Sequence, residues 1–74
     1  MWNTVSEAYA ASGVGQTTTV RPSDGKEDTL RRFQSEIKVA RGLAREQKIR
    51  LVLDHKESQT GFDFTDLITF ERIA

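Results

Sequence analysis

The chain has no cysteine. That excludes a disulfide framework, a thiolate nucleophile and a cysteine-ligated zinc site. It has one histidine, His55, so any triad chemistry would have to assemble around that ring. Asp54 and His55 are neighbours in a segment that alternates like a strand, which sends them to opposite faces, and Ser58 falls in the turn beyond. No catalytic residues are expected, and the protein is not read as an enzyme. His55, Glu57, Asp63 and Asp66 are hard or borderline ligands gathered near one hairpin. They lack any liganding pattern, so neither a metal nor another cofactor is expected. No run approaches the roughly 18 apolar residues of a membrane span. The N-terminus lacks the basic start and apolar stretch of a secretory signal. A soluble, cytoplasmic protein is the expectation.

Proline, tryptophan and tyrosine each occur once, as Pro22, Trp2 and Tyr9. The two large aromatics lie together in the first nine residues, ahead of a stretch rich in Gly, Ser and Thr. The 74 residues make one domain at most. A chain of this length buries only about 60–65% of its unfolded surface. Charge sums to zero but is uneven: residues 26–50 hold eight Lys or Arg against four acids, and residues 51–74 hold two against five. A basic middle faces an acidic end.

Residues 1–11 have the spacing of a short helix. Thr4 and Glu7 are placed as a capping box, Trp2, Val5 and Tyr9 share a face, and Gly13 ends the run. Residues 12–25 read as a linker in which QTTTV, residues 16–20, can add one short edge strand. Residues 26–47 are the strongest helix, with Asp24 as N-cap and a core stripe of Leu30, Phe33, Ile37, Ala40 and Ala44. Gly42 marks either a bend or a close approach. Residues 48–55 alternate as a strand, with Ile49, Leu51 and Leu53 on one side and Val52 on the other. KESQTG supplies a turn. Over residues 62–73 the Phe, Ile and Thr content favours a second strand, with a helix capped by Asp63 or Thr65 as the competing reading.

The expected fold is α+β: one amphipathic helix packed on a β-hairpin, completed to a small three-stranded sheet by Gln16–Val20 or by a second copy. Residues 1–25 would form a mobile N-terminal arm and linker, and residues 26–74 the domain.

Arg31, Lys38, Arg41 and Arg45 fall within about 80° of one another on the helix, beside the apolar face, and Lys48 extends the run. Such a stripe suits phosphates or an acidic protein surface. The segment TLRRFQSEIKVARGLARE resembles the first helix of the bacterial small-subunit ribosomal protein numbered twenty-one, through Leu30, Arg31, Arg32, Phe33 and Leu43, with Val20 and Arg21 upstream. The resemblance covers about a quarter of the chain and implies a ribonucleoprotein role. It departs at Gln34, Ser35 and Glu36, where that family tends to be basic, and after the helix, where that family continues into a second basic helix.

Three functions follow in order. The first is a small non-enzymatic regulator, inhibitor or accessory subunit that docks on a larger host or cognate protein, of the kind phages and mobile elements encode. It would use Trp2, Val5 and Tyr9 as anchors, with Arg41 and Arg45 supplying charge. The second is a nucleic-acid or ribonucleoprotein subunit using Arg31, Lys38, Arg41, Arg45 and Lys48. The third is a structural subunit of a symmetric assembly joined through the hairpin edge.

Overall fold

The computed structural model describes residues 4–74. Five elements follow in chain order: α1 (Val5–Ala11), β1 (Thr17–Val20), α2 (Glu27–Arg45), β2 (Ile49–Lys56) and β3 (Thr65–Arg72). The strands form one antiparallel sheet in the order β1-β3-β2, so the last strand lies in the middle. One face of the sheet carries both helices: α2 packs on β2 and β3, and α1 packs on β1 and on α2. The fold is a small two-layer α+β structure.

The helical stripe closes this core. Leu30, Phe33, Ile37 and Ala40 are buried under α2, and Val20, Ile49, Ile68 and Phe70 join the last three in one cluster from all three strands. Burying one side chain the size of Phe70 contributes about 1.5–3 kcal/mol. Residues 5–20, read from the sequence as arm and linker, supply Val5, Ala8 and Val20 to the same core. The physical reason is area: a sheet of three short strands leaves apolar surface uncovered beside a single helix, and α1 covers it.

Local signals explain most element ends. α2 begins at Glu27 with Lys26 as its N-cap residue. Asp24, expected to be that cap, instead accepts the backbone N–H of Lys26 at 2.9 Å. This bond, reinforced by the Thr29 side chain, holds the Asp24 carboxyl below its usual range. At the other end Gln47 adopts φ 61°. The Gln47 N–H donates to Ala44 O and the Lys48 N–H to Leu43 O, a Schellman closure in which a left-handed residue lets the chain turn back into β2.

α1 has no side-chain cap from Thr4. The Glu36 carboxylate of α2 takes that role, accepting the Val5 N–H at 2.8 Å. The far end of α1 is held by Arg72, whose Nη1 donates to the carbonyls of Tyr9 and Ser12 and whose guanidinium lies over the Tyr9 ring.

Strand β2 departs from simple alternation. Its register with β3 slips between Leu51 and Leu53 and again between His55 and Lys56. Ile49 and Leu51 face the helices, but the bulge at Val52 turns Leu53 to the other face, where it is 50% exposed. The expectation that Leu53 belongs to the core stripe is corrected by that bulge. The segment 62–73 resolves to a strand only from Thr65. Positive φ at Gly61 and Asp63 ends the ladder there: the Phe64 carbonyl still accepts the Glu57 N–H at 2.9 Å, and Phe62 lies beyond it.

Candidate interaction groove between α2 and β2

One row of α2 runs Arg31, Gln34, Lys38, Arg41, Arg45, all within about 80° of helix rotation. It looks over β2, on the flank of α2 away from α1. Its first half is filled by the chain itself. The Arg31 guanidinium lies 5.4 Å from the Phe62 ring centroid and 5.3 Å from that of Phe64, and the two rings stack on each other. Gln34 holds the backbone at the start of β3: its Nε2 donates to Thr65 O at 2.9 Å, and its Oε1 accepts the Thr65 N–H at 3.2 Å. The helix flank therefore holds the first residue of β3 with one amide and stacks a cation on the aromatic side chains of the turn before it.

The second half is open. Lys38, Arg41, Ala44, Arg45 and Leu51 line a groove of about 490 Å³ between α2 and β2. Leu51 and Ala44 give it an apolar floor, and three cations give it a basic wall. Only Arg41 has an ion-pair partner, Asp54, at 3.7 Å; among the described residues Lys38 and Arg45 form no ion pair. Asp54 is itself oriented by the Thr65 hydroxyl, which donates to its Oδ1 at 3.0 Å.

The outer rim of the groove is β2, an edge strand of eight residues. An edge presents unpaired backbone N–H and C=O groups to any strand that approaches. Here the exposed positions include Val52 and Leu53, 48% and 50% accessible. The bulge and the charges of Arg50, Asp54 and Lys56 are the usual devices that discourage indiscriminate pairing at such an edge.

The residues expected to bind partners are distributed as follows. Trp2 lies outside the described residues. Val5 is fully buried, and Tyr9 is half-buried, with its hydroxyl donating to Ala74 O. Val5 therefore serves the core and is out of reach of a docking partner, while Tyr9 packs against that core and stays partly exposed. Arg41, Arg45 and Lys38 come together on the groove wall. Arg31 is drawn away to Glu27, at 3.0 Å, and to the two phenylalanines, and Lys48 sits 3.8 Å from Glu46. Gln34, Ala44 and Leu51 were missed as site residues. Gln34 carried a signal, since it shares the arc of the basic row.

A second cleft of about 540 Å³ lies under the loop that follows β1, among Arg21, Pro22, Leu53, His55, Glu57 and Asp66. His55 Nδ1 and Asp66 Oδ1 are 2.6 Å apart there. Glu57 is buried; its Oε1 accepts the N–H and the hydroxyl of Thr60, which fixes the turn. Asp54 points toward α2 and His55 does not, so these neighbours do not act on one group. Among the described residues no three His, Asp or Glu side chains converge as metal ligands. No described helix is long and apolar enough to cross a membrane. Comparison with protein-family models, curated proteins and solved structures finds no match to this chain.

Proposed function

We propose that this protein is a non-enzymatic regulator or accessory subunit that binds another protein along the free edge of β2. One observation carries the reading: an eight-residue edge strand with exposed Val52 and Leu53 borders an open groove with an apolar floor. Strand addition to such an edge is a common mode of peptide recognition, in which backbone bonds give affinity and adjoining grooves give selectivity. The nucleic-acid reading has less support, because Arg31, Arg41 and Lys48 are engaged by Glu27, Asp54 and Glu46. That leaves Lys38 and Arg45 from the basic row, and affinity for a phosphate backbone rises with the number of phosphates neutralised.

The test is affinity capture from source-cell lysate with and without nuclease, using the wild type, the double change Val52→Asp with Leu53→Asp, and Val14→Asp as a control. Val14 is exposed in the α1–β1 connection. The expected result is a protein partner that survives nuclease, is retained by Val14→Asp and is lost by the edge variant. Recovery that collapses with nuclease, or that ignores the edge variant, overturns the reading.

A further inference from the structure

The row on α2 that ends in the open groove begins with a filled one, and the filled half indicates what the open half accepts. At Arg31 and Gln34 the occupant is the turn that enters β3: an amide holds its backbone at Thr65, and the two phenylalanines before it pack under a cation. Four to fourteen residues further along α2 the same flank is vacant, while β2 beside it still offers an unpaired edge. The wall of this vacant part carries Lys38, Arg41 and Arg45 against the single carboxylate of Asp54, a surplus of two positive charges.

Resting on the reading that β2 binds protein, we propose that the groove takes an extended peptide segment of a partner with two acidic side chains on one face of the strand, two or four positions apart. The segment pairs with the β2 edge and turns those carboxylates toward Lys38 and Arg45. The spacing suits this arrangement. Alternate residues of a strand lie about 6.8 Å apart on one face. Seven helical residues separate Lys38 from Arg45 by about 10.5 Å along the axis, which falls between that spacing and the roughly 13.6 Å of positions four apart, and their flexible stems reach either. The apolar floor of Leu51 and Ala44 takes the aliphatic part of the same side chains or the residue beside them. Residues of the segment that face the other way meet Leu53, which the bulge has turned to that side.

The experiment is selection of binders to the full chain from a displayed library of random eight-residue peptides, followed by titration of synthetic versions. The enriched peptides are expected to carry Asp or Glu on one face, at positions i and i+2 or i and i+4. They should bind at least tenfold more weakly to the Lys38→Glu, Arg45→Glu double variant, with a smaller loss for the Lys38→Gln, Arg45→Gln pair. Peptides that are lost on the edge variant but show no acidic preference and ignore the charge reversal overturn this inference and leave edge binding intact. A library that yields no binder, or only binders indifferent to both sets of changes, overturns both. Oligothymidylate of ten nucleotides that displaces the peptides at equal concentration overturns the acidic-peptide assignment in favour of nucleic acid.

Discussion

Helix α2 has two flanks, and the chain treats them differently. On the side toward β1, α1 lies in the angle between helix and sheet, with Val5 and Ala8 fully buried and the Glu36 carboxylate on the Val5 N–H. On the side toward β2 no other described element lies in the corresponding angle beyond Gln34; there are three cations, a leucine and an alanine. The closed flank is filled by apolar side chains and one carboxylate, with Tyr9 and the Arg72 guanidinium at the far end of α1. The open flank is made of long basic ones. A short helix recruited from the first part of the chain solves the burial problem once. The other corner is left to solvent by side chains that keep their charges in water and lay their stems over the apolar floor.

The largest expected effect comes from forcing a charge into the closed flank. Val5→Asp would bury a carboxylate where no partner is available, which costs about 3 kcal/mol or more. In a domain of this size that is much of the total stability. The matching change at the open edge, Val52→Asp, places its charge in water and should alter stability by no more than about 0.5 kcal/mol. Urea unfolding of both variants measures the contrast. Equal losses would mean that the edge is as well packed as the α1 corner, and the difference between the flanks would disappear.

The residues show which parts of this arrangement sequence can reveal. The apolar spacing of Leu30, Phe33, Ile37 and Ala40 identified α2 and its buried face, because a 3.6-residue period has no other common explanation. QTTTV was legible as a short edge strand for its β-branched content, and β1 is that strand. The spacing of Val5 and Tyr9 was read correctly as one helical face. Spacing defines a face but not what covers it, and here the cover is the chain's own core. Leu53 was placed inside because the alternation from Ile49 is unbroken in sequence. The bulge that turns it outward depends on pairing with β3, which no local pattern encodes. Phe62 and Phe64 followed strand parity, yet the turn at Gly61 and Asp63 lifts them onto Arg31. The basic wall of the groove was legible in Lys38, Arg41 and Arg45. Its floor was not, since Leu51 and Ala44 meet only when β2 lies beside α2.

A more selective way to probe the closed flank is to remove its cap and leave its apolar contacts in place. Glu36→Ala takes away the acceptor of the Val5 N–H and the negative charge at the start of α1. Loss of a capping acceptor costs about 1 kcal/mol, and Glu36→Gln, which keeps an oxygen but not the charge, should lose less. Amide exchange at Val5, Glu7 and Ala8 should accelerate in Glu36→Ala before exchange in β3 changes. Unchanged exchange in α1 would show that packing alone holds the helix, with no contribution from the carboxylate.

The smallest effect concerns one position inside α2 and one just past its end, whose residue types are interchanged relative to what the backbone asks. Gly42 sits within the helix beside the basic row, and a Cβ built there meets nothing within 4 Å. The sequence suggested a bend or a close neighbour at this glycine, and among the described residues there is no close neighbour. Gln47, in contrast, holds the left-handed position that closes the helix, where glycine carries no steric penalty. Gly42→Ala should therefore raise stability by about 0.5–1 kcal/mol through a better helix interior, and Gln47→Gly should add a gain of similar size by relieving the cap. The two sites are five residues apart and share no side-chain contact, so their gains should sum within about 0.5 kcal/mol. Chemical denaturation of the single and double variants tests this. A loss of stability at Gly42→Ala would mean that the new methyl group is obstructed, and the flank of α2 above β2 would not be open.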